Sequence, residues 1–394
     1  MSARLRMFAI SAPGLEQILS NELRSIGIVP GKVVSGGVAF EGHARHLGTA
    51  NLWSRTASRI VVRADEFHAN SFHELERRAK RVQWERFVSF GQAVGFRVTC
   101  RKSRLYHSGA VADRLVQAIE RQVGGNVAVA IENESGEEGT ATLAGERPGE
   151  SAGQDSPQLF IVRIANDICT ISADSSGELL HRRGYRKAVA KAPLRETLAA
   201  AMLIGSGWNQ RSPLVDPMCG SGTIAIEAAL MARRIAPGTS RRFAFERWPG
   251  HDENAWRDIV ERARESALAG APAPILASDR DEGGVGAARA NAVRAGVEGD
   301  INIETKAVSA VEFPAPAGWI VSNPPYGLRT GDGGPLRNLY AQIGKIMRER
   351  ACEYGLALLS ADKSLDAQLR LDLREEFRTT NGGIPVRLIV AQAP

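Results

Sequence analysis

Four consecutive residues, Asn323, Pro324, Pro325 and Tyr326, join a side-chain amide, two prolines and an aromatic ring directly after the apolar run Ile320-Val321-Ser322. The apolar pair reads as the end of a buried strand, and neither proline has an N–H with which to continue a sheet, so the chain leaves the sheet at Asn323. Proline fixes its own φ, and Pro325 also biases Pro324 toward an extended conformation, which sets the direction of the Pro324 carbonyl. Asn323 Oδ1 and Pro324 O then form a rigid pair of acceptors, and Tyr326 offers a flat face worth ~1–3 kcal/mol per stacked base. Two acceptors beside an aromatic plate suit an NH2 group on a flat ring. The plainer alternative is a Pro-Pro turn with Tyr326 packed in the core.

A second candidate lies upstream. Leu214-Val215 reads as a buried strand that ends in Asp216-Pro217-Met218-Cys219-Gly220-Ser221-Gly222-Thr223, and Ile224–Met231 continues as a helix. Gly220 and Gly222 allow a tight turn and close approach of a ligand to backbone, and the helix N-terminus can meet an anionic group. Asp216 is placed to accept from an ammonium. A lone G-x-G also serves ordinary turns, but Ile275–Ser278 is another strand, ending in Asp279 and followed by Arg280. An acid there is where doubly wound sheets bind ribose hydroxyls. Asp216 and Asp279 are 63 residues apart, against ~20 in a dinucleotide fingerprint, and the third glycine is missing, which disfavours NAD.

The surrounding pattern supplies the elements that hold these residues. A helix runs from Leu194 to Leu203 with Pro193 at its first turn. After Asp279 come a helix over Gly286–Ala295, strands at Ile301–Glu304 and Gly318–Ser322, a helix over Leu336–Arg350, a strand at Gly355–Leu359, a helix near Leu365–Leu371 and two closing strands about Phe377 and Pro385–Val390. This alternation predicts an α/β unit over 193–394 with a mostly parallel, Rossmann-like sheet and one antiparallel strand. Ligands in such sheets bind outside the carboxyl ends of the strands, where Asp216, Asp279 and Asn323 all fall. Residues between Arg233 and Pro274, with Arg241, Arg242, Phe243, Phe245, Trp248 and Trp256, either cap the sheet or cover a substrate, and the sequence does not choose.

The N-terminal half predicts a small α+β sandwich. Leu5–Ile10 is a strand, and Gly14 opens a helix with Leu15, Ile18, Leu19, Leu23 and Ile26 on one face. Strands follow at Val33–Phe40 and Ile60–Ala64, with helices over Ala44–Ser58 and Ser71–Arg81. The strand Gly95–Arg101 runs into Lys102, Arg104, Tyr106 and His107 before a helix over Ala110–Val123. A basic, aromatic-bearing loop before a helix fits a phosphate contact, and a solvated loop fits equally well. Residues Glu132–Gln158 are rich in Gly, Ser, Glu and Pro and read as a flexible acidic insertion. Strands at Leu159–Ile164 and Ile168–Ala173 make a hairpin about Asn166-Asp167. The linker 176–192 then carries His181, Arg182, Arg183, Tyr185, Arg186 and Lys187, the densest basic-aromatic stretch, read either as a nucleic-acid contact or as a solvated face.

Bulk properties narrow the class. At 394 residues the chain is long enough for two or three domains, and 43% hydrophobic with 24% charged residues is ordinary globular composition. The net charge of +6 rises to +12 once the seven acids and one arginine of 132–158 are set aside, which fits a polyanionic partner. Four scattered cysteines, with no C-x-x-C and no histidine cluster, argue against disulfides and against a metal, and suit a reducing compartment. No run reaches the ~20 apolar residues of a membrane span. The expectation is a soluble, cytoplasmic protein.

With these residues placed, the C-terminal half resembles class I S-adenosylmethionine-dependent methyltransferases, with Asp216–Thr223 as the glycine motif and Asn323–Tyr326 as the amino-methylating motif. Nearly the whole chain resembles bacterial THUMP-domain RNA methyltransferases, particularly the 23S ribosomal RNA guanine-N2 enzymes, through Pro13-Gly14-Leu15-Glu16, Leu180–Arg186, Ala192–Leu198 and Asn323–Gly327. The resemblance implies a ferredoxin-like region over 1–64, a THUMP RNA-binding domain over 65–175 and a methyltransferase domain over 193–394. It implies S-adenosylmethionine as cofactor, held by Asp216–Thr223, Asp279, Arg280, Ser309 and Asn323. Ser309 stands where such enzymes often carry an acid for the adenine amino group. Asn323–Tyr326 would be catalytic, and Lys102, Arg104, Arg182, Arg183, Tyr185, Arg186 and Lys187 would touch RNA, large-subunit ribosomal RNA above all. Transfer RNA, adenine-N6 methylation of DNA, and a non-catalytic RNA-binding role remain alternatives.

Overall fold

The computed structural model describes residues 4–124, 129–132 (backbone), 157–186, 194–326 and 333–392. The chain begins β1 (Leu5–Ile10), α1 (Glu16–Ser25), β2 (Pro30–Val34), β3 (Gly37–Gly42), α2 (Ala44–Trp53), β4 (Arg59–His68) and α3 (Phe72–Ala79). It continues β5 (Val94–Arg101), α4 (Ser108–Val123), β6 (Val129–Glu132), β7 (Gln158–Ala165) and β8 (Ile168–Asp174). These strands form one eight-stranded sheet in the order β2-β3-β1-β4-β8-β7-β5-β6. β4 pairs with β1 on one side and β8 on the other, so it runs through residue 64, the boundary expected between two N-terminal units, and joins them in one sheet. Asn166 and Asp167, both at positive φ, make the two-residue turn expected of a hairpin.

The body of the expected acidic insertion, 133–156, lies outside the described residues. Its stated last residue, Gln158, is instead the buried start of β7, where Nε2 donates to Asp174 O at 2.9 Å. A polar residue reads as loop in a composition-based scan, but here its amide is fully used.

The second half is α5 (Glu196–Ser206), β9 (Leu214–Asp216), α6 (Thr223–Ala232), α7 (Glu253–Glu265), β10 (Ile275–Asp279), α8 (Glu282–Ala295), β11 (Ile301–Thr305), β12 (Ala317–Ser322), α9 (Gly333–Glu349), β13 (Glu353–Ser360), α10 (Lys363–Leu369), β14 (Arg374–Asn381) and β15 (Ile384–Ala391). Its seven-stranded sheet runs β11-β10-β9-β12-β13-β15-β14, parallel except for β15, which is antiparallel to both neighbours. α5 and α6 are apolar on nearly all sides because both are buried. α8 starts where Asp281 Oδ2 accepts from Gly284 N and stops at Gly296 in the left-handed region.

The two halves exchange core residues. Leu15 and Ile18 of the N-terminal half are buried among α5, α6 and the second sheet. In return the stretch left undecided, Arg233–Pro274, sends Phe243, Phe245 and Trp256 into the core beneath the first sheet. Trp248 Nε1 donates to Gln158 Oε1 at 2.7 Å and Phe245 N to Ser175 O at 3.1 Å. The excursion is a clasp on the first domain and not a cap on the second sheet.

Candidate active site

β9, β10 and β12 lie side by side and parallel, so their carboxyl ends open on one edge. The glycine loop is tied to that edge by backbone: Cys219 N donates to Ser278 O at 2.9 Å and Gly222 N to Cys219 O at 2.8 Å. Gly220 N donates to Asp279 Oδ2 at 2.9 Å, and Asp281 N donates to Asp279 Oδ1 at 3.0 Å. Asp279 therefore shapes the loop, and a carboxylate with about four acceptor sites keeps capacity for hydroxyl donors. Gly222 has φ +82°, and a Cβ there would sit 2.9 Å from Ala288 Cβ, which explains why glycine is required. A Cβ on Gly220 would meet nothing within 4 Å, so backbone at that point faces open space a ligand can use.

Asp216 is buried at 1% exposure, and Ser322 Oγ donates to its Oδ1 at 2.6 Å. Burial pushes its carboxyl up to about 7, against the opposing pull of the Ser322 hydroxyl and the Met218 N–H, with the Asp279 charge adding to the rise. Asp216 thus braces two loops in addition to being a candidate partner for an ammonium. Pro217, Cys219, Ser221 and Thr223 are buried and Met218 is half-buried. Arg280 is exposed beside half-buried Asp279. Ser309 is exposed in the single turn Val308–Ala310, where its carbonyl accepts from Arg350 Nη1 at 2.8 Å.

Next to Ser322, Asn323 Oδ1 is buried and has no hydrogen-bond partner among the described residues. Leaving a buried acceptor unpaired costs ~1–3 kcal/mol, so Asn323 Oδ1 is a candidate to receive a donor that the described residues do not supply. Pro324 is buried and Pro325 exposed. The half-buried Tyr326 packs on the core of the second sheet, and its hydroxyl accepts from Asn381 Nδ2 at 2.7 Å.

The linker residues need correction. Arg183, expected to touch RNA, is 4% exposed: it donates to Leu180 O and to Arg55 O and faces Glu227 Oε1 at 3.6 Å. Tyr185 is equally buried, with its hydroxyl 3.1 Å from Glu227 Oε1. Arg186 is half-buried and tied to Glu196 Oε2 at 2.8 Å and to Leu194 O. The basic run is basic because it threads between two halves whose carbonyls and carboxylates need donors. Arg182, paired with Glu178 at 3.7 Å, is exposed, as are Lys102 and Arg104. Lys187 lies outside the described residues.

Sequence reasoning missed Ser322, Asn381, Asn291, whose Nδ2 donates to Ser221 O at 3.0 Å, and Glu227. Ser322 had a signal, as a hydroxyl closing an apolar strand beside the motif. Asn381, 55 residues from Tyr326, had none. Among the described residues no group of three or more His, Cys, Asp or Glu could hold a metal ion, and no helix is long and apolar enough to cross a membrane.

A sheet of this order, with a glycine loop after its central strand and an Asn-Pro-Pro-Tyr loop after the next, is that of a class I methyltransferase. The chain belongs to the UPF0020 family of RMKL-like methyltransferase domains, whose profile matches residues 183–389, and residues 6–61 match the ferredoxin-like domain of RlmL. A Synechocystis sp. (strain PCC 6803) protein provisionally named RNA methyltransferase slr0064 is 33% identical over 384 residues, 97% of this chain and 95% of that one. The structure of SMU.472, provisionally a methyltransferase, in complex with SAH is 29% identical with a TM-score of 0.84, covering 100% of this chain and 99% of the other. A Listeria monocytogenes protein described as a predicted N6-adenine-specific DNA methylase is also 29% identical, with a TM-score of 0.83 over 100% and 97% of the two chains.

Proposed function

We propose that this methyltransferase acts on the exocyclic N2 of a guanine in RNA, with 23S ribosomal RNA as the substrate and S-adenosylmethionine as the methyl donor. The observation that carries the reading is the buried Asn323 Oδ1, which has no hydrogen-bond partner among the described residues and precedes Pro324 in sequence. That amine is a poor nucleophile because its lone pair is conjugated with the ring. Asn323 and Pro324 hold its hydrogens and turn the lone pair out of conjugation, while Tyr326, anchored by Asn381, gives the base a ring face. Orientation of this kind can supply ~7–11 kcal/mol of a barrier. No strong base is needed, because the amine becomes acidic only once it is methylated and then loses its proton to water. A paired guanine must leave its stack, at about a few kcal/mol.

S-adenosylmethionine supplies the methyl group. The glycine loop, Asp216 and Asp279 are the residues that would hold it, and the open space over Gly220 and the complex of SMU.472 with SAH support the fit. The name of the Synechocystis relative and the RlmL-type N-terminal segment support RNA, and residues 65–175 are read as a THUMP-type RNA-binding unit with Lys102, Arg104 and Arg182 as contacts. The test is nucleoside mass spectrometry of separately purified ribosomal and transfer RNA from cells with and without the protein. Loss of N2-methylguanosine from large-subunit ribosomal RNA alone is expected. Loss from transfer RNA replaces the substrate, and no change in either RNA overturns the reading.

A further inference from the structure

The eight-stranded sheet buries one face against helices; on the other, Val61, Ser172 and Asp174 are buried as well, but several arginines remain accessible. Met7, Val62, Phe96, Val98, Val162 and Ile171 share a core with residues of α1 to α4. Because strand side chains alternate, the residues between them face away from those helices. Across that outward face the register sets Glu41 opposite Arg6, and Arg63 opposite Ser172, which faces Ile161, which faces Arg97. Met7 pairs with Val62, so Arg6, one residue back, lies opposite Arg63. Arg163 stands one step on, between Thr170 and Thr99, and β5 ends in Arg101, which leads into Lys102 and Arg104. The arginines span five strands, on the order of 19 Å at about 4.8 Å per strand. Arg6, Arg101 and Arg163 are exposed, and Arg63 and Arg97 half-buried.

This arrangement works against the fold, since like charges opposite each other on a sheet destabilise it. Two local acids have other partners. Glu41 is paired with Arg4 at 3.0 Å, and Glu66 accepts from Thr170 Oγ1 at 3.0 Å. The Arg63 guanidinium is held below its ordinary range by burial, against the pull of Glu66, with the Arg163 and Arg6 charges adding to the fall. Arg63 donates to Ser172 Oγ at 2.9 Å and lies 4.7 Å from the centroid of the Phe8 ring, which covers that ring and removes it as a stacking platform for a base.

We infer that this outward sheet face, Arg6, Arg63, Arg97, Arg163 and Arg101 continuing into Lys102 and Arg104, is a docking surface for the sugar-phosphate backbone of the RNA substrate. The inference rests on the RNA reading above and extends it from a loop to a face. Arginine's planar fork matches phosphate oxygens bidentately, which makes it the residue for this contact. With Phe8 engaged by Arg63, the strand arginines contact RNA through its backbone, which carries no sequence information directly.

The test uses the full chain and in vitro transcribed, unmodified fragments of large-subunit ribosomal RNA, with affinity read by fluorescence anisotropy across a salt series. The double variant Arg6→Gln/Arg163→Gln is expected to bind at least tenfold more weakly. The slope of log affinity against log salt should fall in magnitude by about 1.4–1.8, two contacts' worth. Affinity for S-adenosylhomocysteine, measured by calorimetry, should not move, which certifies folding. A control pair, Arg257→Gln/Arg262→Gln on α7, the helix whose Trp256 packs against Gly48 of α2, should bind RNA as the unaltered chain does. Unchanged affinity and slope in the first variant, or an equal loss in the control, overturns the proposal. So does poly-glutamate binding as tightly as RNA, which would assign the face to an acidic protein. The binding readout needs no turnover. Absence of methylated product with the expected binding losses removes the activity reading alone, and intact turnover with unaltered binding removes the surface alone.

Discussion

Ser322 Oγ and Asp216 Oδ1 are 2.6 Å apart, both fully buried, and between them they join the loop that ends β12 to the loop that ends β9. One residue beyond Ser322 stands the proposed amine acceptor Asn323, and four beyond Asp216 stands Gly220. The hydrogen bond therefore fixes the distance between the two halves of the reaction. Removing it by Ser322→Ala forfeits a buried hydrogen bond and leaves Asp216 Oδ1 with the longer Met218 N contact at 3.4 Å, at a cost of about 1–3 kcal/mol. Calorimetry should show S-adenosylhomocysteine binding weakened by roughly tenfold or more, and an unaltered affinity would show that the loops hold their spacing without it.

Asp216 also sets a pH dependence. Its carboxyl is raised to about 7 when folded, from an ordinary value of 3.8. Between those values the folded chain binds more protons than the unfolded one, so stability is fully present below about 4 and declines as pH rises toward 7. Glu196, also raised to about 7 by burial despite Arg186, contributes in the same window, as does Asp174 in direction. The Asp216→Asn variant isolates one share. Urea unfolding of the ligand-free protein at pH 5.5 and pH 8 should show a smaller loss of stability for the variant than for the unaltered chain. Equal losses would mean that Asp216 keeps an ordinary carboxyl in the fold.

How much of this was legible follows from how local each signal is. The strand ends were readable because an apolar run, its terminal acid or amide and the turn residues after it are contiguous: Leu214–Gly222, Ile275–Asp279 and Ile320–Tyr326 all fell where expected. Arg183 and Tyr185 misled because a run of basic and aromatic residues has the same composition whether it faces solvent or a buried carboxylate, and Glu227 lies 42 residues from Tyr185. The aromatics of Arg233–Pro274 could not be assigned because the surface they cover, Gly48 and its neighbours on α2, lies 208 residues before Trp256. The arginines of the outward sheet face were invisible for a related reason: they are spread over four strands, β1, β4, β7 and β5, and only the strand order gathers them.

The buried linker separates two neighbouring arginines by outcome. Arg183→Ala breaks a buried set that includes Glu227, Arg55 and Tyr185, and should cost about 3–5 kcal/mol because it leaves Glu227 short of a partner. Arg182→Ala, at an exposed residue paired with Glu178 across 3.7 Å, should stay within about 0.5 kcal/mol. Chemical denaturation of both variants checks this, and similar costs for the two would return Arg183 to the surface.

The exchange of core residues predicts joint unfolding. Trp256, 8% exposed, packs edge-on to Phe243 and Phe245 while its own helix belongs to the second half of the chain. Trp256→Ala should cost about 3–5 kcal/mol. Because Leu15 and Ile18 are buried in the other core, hydrogen exchange should show protection falling in both sheets together. Loss confined to the eight-stranded sheet would mean that the clasp holds the halves side by side without coupling them.

Asn323 brings stability and function into opposition. A buried Oδ1 with no partner among the described residues costs the fold ~1–3 kcal/mol until a donor reaches it. Asn323→Ala removes the acceptor together with its cost, so the variant should be at least as stable as the unaltered chain in urea. Turnover on RNA should fall by roughly 10²–10³, the loss seen when one preorganised polar group is taken from a reacting centre. RNA affinity should stay near its original value, because the arginine face is not touched. A variant that is both less stable and fully active would reverse the assignment, making Asn323 a structural residue that finishes β12. One that gains stability as it loses turnover identifies Asn323 as an acceptor kept unpaired for the incoming amine.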